Sequence, residues 1–117
     1  MKKISIVVPF YNESASLPTF LQAVTAVTSK QTNYEFDFVF VNDGSQDDGV
    51  DILKGLMTTY PNVVIVDLSR NFGKEVAMLA GLDHSQGDAT IIMDSDLQHP
   101  PAVIPEFIKY WEEGYYD

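Results

Sequence analysis

Asp94 and Asp96 stand one residue apart where the apolar run Ile91-Ile92-Met93 ends, and Leu97-Gln98-His99-Pro100-Pro101 follows. An extended run places alternate residues on one side, so a strand leaving through this stretch brings the two carboxylates together. Paired anionic oxygens suit a hard divalent cation, Mg²⁺ or Mn²⁺, and Gln98 adds an oxygen donor at the next alternate position. An isolated Asp-x-Asp is more often a solvated turn, because Asp is a common turn residue. An EF-hand reading fails: His99 stands where that loop needs Gly, two prolines follow, and the twelfth position is Pro105 rather than Glu. A metal held by one or two carboxylates and completed by substrate phosphates fits this stretch better. His99, beside two prolines, reads as structural or solvent-facing.

Three other polar stretches carry groups of the same usefulness. Tyr11 and Glu13 offer an aromatic face and a carboxylate, a pair suited to a nucleobase, although both also fit an ordinary loop. Asp43 is either a turn former or an acceptor for the N–H and O–H donors of a base or ribose. Arg70 and Lys74 are either a solvated pair or the cations that meet a diphosphate, with Gly73 between them permitting close backbone approach. His84 falls late in a helical stretch and reads as surface.

The elements that must position these groups follow from apolar periodicity. Continuous apolar runs at Ile4–Val8, Phe36–Val41, Val63–Val66 and Ala89–Met93 read as strands buried on both faces. Between them, Leu17, Phe20, Leu21, Val24 and Val27 recur at helical spacing, with Ser14 or Ser16 as a cap and Pro18 in the first turn. Val50, Leu53, Leu56, Met57 and Tyr60 form a second such face, entered through Ser45-Gln46-Asp47-Asp48, which resembles a capping box, and closed at Pro61-Asn62. A third helix is expected after Lys74, through Leu82 and ending near Gly87. A fourth spans Val103 to Glu112, with Gly114 at its C-cap. Four strand–helix repeats imply an α/β fold: an open parallel sheet with helices on both faces and right-handed crossovers. In such sheets ligands sit outside the carboxyl ends of the strands. All four strand-to-helix loops carry dense polar motifs, and the topology gathers them on one rim.

Length and charge bound the rest. A chain of 117 residues with 45% hydrophobic content can bury one core, and residues 1–117 read as one domain. Without cysteine there is no disulfide framework, thiol nucleophile or Cys-based zinc site. No apolar run reaches the roughly 18 residues of a membrane span, and the amino-terminal residues read as a strand start rather than a signal peptide. That pattern fits the cytoplasm. Seven basic residues against 17 acidic give a net charge of −10, which argues against nucleic-acid binding. The final Glu113-Gly114-Tyr115-Tyr116-Asp117 reads as a lead-in to a further strand, so a truncated domain is expected.

Dinucleotide-binding and P-loop glycine patterns are missing, as is a Gly-x-Ser-x-Gly elbow. Four motifs in order, Val8-Pro9-Phe10-Tyr11-Asn12-Glu13, Val41-Asn42-Asp43-Gly44-Ser45-Gln46-Asp47, Ser69-Arg70-Asn71-Phe72-Gly73-Lys74-Glu75 and Asp94-Ser95-Asp96-Leu97-Gln98-His99-Pro100-Pro101, together resemble family 2 glycosyltransferases of GT-A fold. The last two are most similar to the polyprenyl-phosphate branch, the dolichyl-phosphate and bactoprenol (undecaprenyl-phosphate) hexosyltransferases.

The resemblance implies the donor-nucleotide half of a Rossmann-like GT-A domain. It further implies inverting transfer of a hexose from a nucleotide sugar, with a UDP-sugar favoured, to a polyprenyl phosphate. On the matching motif positions, Pro9, Tyr11 and Glu13 line a base pocket with Val41 nearby, and Asp43 binds base or ribose. Asp94, Ser95 and Asp96 meet ribose and diphosphate, with Arg70 and Lys74 as diphosphate cations. Asp96 and Gln98, with Asp94, hold Mg²⁺ or Mn²⁺, and Asp96 is the residue closest to the catalytic event. A saccharide hydroxyl in surface polysaccharide synthesis is the alternative acceptor. A non-catalytic, Mg²⁺-binding receiver-like module is the alternative of another class. Family members continue into a further sheet region, and the lipid-linked branch adds membrane helices. This stretch alone is therefore expected to be inactive, with membrane association at the inner face belonging to the longer chain; a homo-oligomer is compatible with the sequence.

Overall fold

The computed structural model describes residues 2–96 and 100–114. The strands are β1 (Lys2–Phe10), β2 (Tyr34–Asn42), β3 (Val63–Asp67) and β4 (Ala89–Ile92); the helices are α1 (Leu17–Thr28), α2 (Gly49–Leu56), α3 (Lys74–His84) and α4 (Val103–Glu112). The strands form one sheet in the order β3-β2-β1-β4, all neighbours parallel. This is the expected architecture, with the central strands longer than the apolar runs alone indicated.

Side chains alternate between the two faces of the sheet, as the pleat requires. Ile4, Ile6, Val8 and Phe10 of β1 and Phe38 and Phe40 of β2 point to one face. They pack there against Leu17, Phe20, Leu21 and Val24 of α1, Leu53 of α2, and Ile104 and Ile108 of α4. Edge-to-face contacts of Phe40 with Phe10 and Phe20 fill the centre of this layer. Val7, Val39, Val41 and Val66 point to the other face, where α3 covers them through Ala77. A β-carbon on Gly81 would lie 2.4 Å from Val7 Cγ1 and 3.0 Å from Val41 Cγ2, so α3 owes its close approach to a missing side chain. The outward side of α3 leaves Val76, Leu79 and Leu82 exposed.

Two expectations about helix starts give way. Ser45 and Asp48 form no capping box: Asp48 makes no side-chain cap bond to α2, and Asp47 instead accepts from Gly49 N at 3.1 Å through Oδ1. Ser16 does not cap α1 either; its hydroxyl donates to the Glu13 carbonyl at 2.9 Å. At α2 the first helix amide is met by Asp47, and at α1 the Ser16 hydroxyl turns to a loop carbonyl, a competition open to short polar side chains. α2 also ends at Leu56, short of Pro61.

Candidate functional site

The strand order places the switch in chain direction between β1 and β4. From β1 the chain steps outward to β2 and β3, then α3 crosses back over the opposite face to deliver β4 on the far side of β1. Loops leaving β1 and β4 emerge side by side at the carboxyl edge and lead to α1 and α4 on the same face of the sheet, and a crevice opens beside them. The crevice is lined by Pro9, Phe10, Tyr11, Glu13, Asp43, Lys74, Asp94 and Asp96.

Pro9 is tolerated inside a central strand because of where its missing N–H points. Met93 N donates to the Val7 carbonyl, so the odd residues of β1 turn their backbone polar groups toward β4, and that ladder has ended at the Val7–Ile92 pair. Tyr11 follows, 42% exposed, with its ring available at the cleft wall. Glu13 is half-buried and accepts a hydrogen bond from Ser95 Oγ at 3.1 Å, which ties the β1 loop to the β4 loop. Ser95 is buried and aims its hydroxyl at Glu13.

Asp43 is 4% exposed and works in two directions. Its amide donates to the Phe10 carbonyl at 3.0 Å, and its Oδ1 accepts from Phe72 N at 2.9 Å, so it joins three loops at once. The third loop rests directly on Gly44: a β-carbon there would sit 2.2 Å from Asn71 N and 2.3 Å from the Arg70 carbonyl carbon. Gly44 also adopts φ +72°, a conformation glycine takes without strain.

The aspartate pair is reached differently from the sequence expectation. β4 stops at Ile92, and Ser95-Asp96 is a turn, so strand alternation does not set the geometry. Both carboxylates line the cleft nonetheless. Asp94 Oδ1 lies 2.8 Å from Lys74 Nζ. That hydrogen bond and the charge of Asp94 hold the Lys74 ammonium above the ordinary lysine pKa, against a small opposing effect of burial and with Asp96 and Glu13 adding to the field. Gln98 and His99 lie outside the described residues.

Two of the expected residues sit elsewhere. Val41 is fully buried in the core beneath α3 and does not line the cleft. The Arg70 guanidinium lies 4.9 Å from the Phe72 ring centroid, beside a neighbouring cavity bounded by Asn42, Gln46 and Asp67. Gly73 turns the chain into α3 at φ +99°, with open space where a β-carbon would stand, immediately before the cleft-lining Lys74.

Sequence reasoning missed how the first two loops lock together. Asn12 N donates to Ser45 Oγ at 2.9 Å and Gln46 N returns a bond to Asn12 Oδ1 at 2.8 Å. Asp47 Oδ2 accepts from Ser14 N at 3.0 Å. Asn42 accepts from Ser45 N and donates to Asp67 Oδ1, at 2.9 and 2.8 Å. Asn12, Asn42, Ser45, Gln46 and Asp47 stand in the recognised motifs, and the bonds they make fix the loops that carry Tyr11, Glu13 and Asp43.

Asp94 and Asp96 offer hard oxygen donors in one cleft, and the cation already seated there is an ammonium, so the donor set fits a divalent metal. Among the described residues no group of three or more His, Cys, Asp or Glu is placed to hold a metal ion.

Fold and cleft together define an α/β domain with a polar cleft at the carboxyl edge of a parallel sheet. The family model for glycosyl transferase family 2 matches residues 5–117, and the chain belongs to that family. It is 46% identical over 112 residues to the bactoprenol glucosyl transferase of Shigella phage SfV, covering 96% of this chain and 36% of that protein. It is 43% identical over 116 residues to the undecaprenyl-phosphate 4-deoxy-4-formamido-L-arabinose transferase of Pseudomonas syringae pv. syringae (strain B728a), covering 98% of this chain and 34% of that one. The chain thus spans about a third of the length of these curated relatives.

Among solved structures, the mannosyltransferase PcManGT from Pyrobaculum calidifontis, in complex with GDP-Man and Mn²⁺, superposes with a TM-score of 0.72 at 23% identity, over 81% of this chain and 28% of that one. Staphylococcus aureus TarS 1-349 in complex with UDP gives 0.69 at 23% identity, over 95% and 32%. Both share the GT-A fold seen here. No helix among the described residues is long and apolar enough to cross a membrane.

Proposed function

We propose that this chain is the donor-binding part of an inverting glycosyltransferase that moves a hexose from a UDP-sugar to a polyprenyl phosphate. The observation that carries the reading is the convergence of Tyr11, Glu13, Asp43, Lys74, Asp94 and Asp96 on one cleft, in a chain 46% identical to a bactoprenol glucosyl transferase. Tyr11 offers its ring to the uracil, and Pro9 and Glu13 shape the same wall. Asp43, with one oxygen engaged by Phe72 N, has the other to accept from base or ribose.

Lys74 supplies positive charge for the diphosphate, and Ser95 holds Glu13 in place. Arg70 faces the neighbouring cavity and adds only to the field of the rim. Asp94 and Asp96, with Gln98, would hold Mg²⁺ or Mn²⁺, which when bound neutralises the departing diphosphate as a Lewis acid. A phosphate monoester has its second pKa near about 6 and is an oxyanion at neutral pH. It can attack the anomeric carbon without a general base, so the carboxylates are left to serve the donor. A sugar hydroxyl would need a base. In the longer protein, this chemistry belongs at the inner membrane face, where a polyprenyl phosphate resides.

Calorimetry with UDP, with and without Mn²⁺, tests the reading. Metal-dependent UDP binding that Asp96→Ala reduces by about ten-fold or more is expected, in line with the loss of a charged ligand interaction. Mn²⁺ binding that UDP does not influence would overturn it in favour of a metal-binding module without a nucleotide role.

A further inference from the structure

Four carboxylates, those of Glu13, Asp43, Asp94 and Asp96, line one cleft in a chain of net charge −10. Like charges gathered this way repel, and a cleft preformed for a cation needs a substitute when that cation is away. Lys74 is the cation among the described lining residues. It is the first residue of α3, its side chain is 61% exposed, and its Nζ reaches Asp94 Oδ1 at 2.8 Å. A flexible four-carbon stem with a compact ammonium is suited to moving between partners, whereas a guanidinium fork is not. The ion pair is exposed enough to be weak, so it can be exchanged at small cost.

We infer that Lys74 is an exchangeable internal counter-ion: in the donor-free protein it occupies Asp94 in place of the divalent metal, and on loading it yields Asp94 and moves to the donor diphosphate. The inference rests on the donor-binding reading above. No proton is transferred in the exchange; one cation replaces another at a carboxylate oxygen, and the ammonium gains phosphate oxygens as its new partners. The same side chain therefore opposes metal binding before the nucleotide arrives and supports it afterwards.

The test compares the full chain with Lys74→Gln and, as a charge control, Lys54→Gln. Lys54 borders the neighbouring cavity rather than the cleft. Mn²⁺ affinity is measured with and without UDP, by calorimetry and by the electron spin resonance of free Mn²⁺. Without nucleotide, Lys74→Gln should bind Mn²⁺ about two- to five-fold more tightly, the range set by an exposed ion pair. With Mn²⁺ present, the same variant should bind UDP at least about five-fold more weakly, and Lys54→Gln should match the parent in both.

Unchanged or weaker Mn²⁺ binding by Lys74→Gln, in a parent that still binds UDP with Mn²⁺, overturns the exchange and leaves the donor reading standing. Equal tightening by both variants also overturns it, because diffuse charge then explains the effect. UDP binding undiminished in Lys74→Gln overturns the transfer to the diphosphate. A parent that binds neither Mn²⁺ nor UDP overturns the donor reading and the exchange with it.

Discussion

At the residue scale, the cleft depends on side chains that hold other side chains. Ser95 stands between the two aspartates, where the family resemblance implies contact with ribose or diphosphate. Its hydroxyl donates to Glu13, whose position in the chain is 82 residues away. No local pattern in the sequence reports a bond across that separation. Ser95→Ala should lower stability by about 1 kcal/mol, because a buried serine loses its bond and Glu13 loses a donor. It should also weaken UDP binding several-fold by freeing Glu13 to leave the base wall. A urea melt and a UDP titration on the same variant check both; full stability with full affinity would mean that the bond orients nothing. Asp43 shows the complementary case. It was legible as an acceptor, but one of its oxygens serves the backbone of Phe72. Hydrogen-bonding capacity is readable from residue type, whereas the partner depends on which loops the sheet brings together.

At the scale of elements, the sheet and its rim were legible because apolar runs and helical spacing alternate cleanly along the chain. Loop geometry was not. The capping box expected from Ser45 to Asp48 does not form, because the Ser45 hydroxyl accepts from Asn12 N of another loop, and Asp94 and Asp96 reach the cleft from a turn beyond β4. The third loop is seated against Gly44, so Gly44→Ala should cost about 1–3 kcal/mol through strain at positive φ and should displace Phe72 from Asp43. Loss of UDP binding in a variant that still folds, judged by circular dichroism, is the expected outcome.

At the far edge, α4 is tethered through its last residues. Tyr34 donates its hydroxyl to Glu112, its ring lies 5.9 Å from that of Trp111, and Lys2 Nζ stands 5.3 Å from the same indole. The bond to Glu112, then burial, then the charge of Glu112 raise the Tyr34 pKa above its ordinary value. A pKa raised on folding stabilises the protein below the unfolded value, and the contribution is lost as pH climbs through the folded value. Tyr34→Phe should therefore destabilise by about 0.5 kcal/mol at neutral pH. The difference should vanish at strongly alkaline pH, as urea midpoints measured across that range would show; no difference at neutral pH would mean that ring packing, which phenylalanine retains, and not the hydroxyl, holds α4.

At the scale of the whole molecule, one face of the sheet carries most of the burial. Phe40 is fully buried between Phe10 and Phe20, and its truncation to alanine should cost about 3–5 kcal/mol. Set against the roughly 5–15 kcal/mol of a typical domain, that is a large share, and the variant's denaturant midpoint should fall accordingly. The order β3-β2-β1-β4 has a consequence in time as well as in space. β1 lies inside the sheet, yet its second neighbour is β4, and the bond from Lys3 N to Asp88 spans 85 residues. During synthesis β1, β2 and β3 can assemble while one flank of β1 stays open, and only the arrival of β4 closes it and completes the crevice. Loop closure over such separations is slow relative to local pairing. Of these four strands, the one made earliest is thus among the last to be finished, and the cleft is a late product of folding.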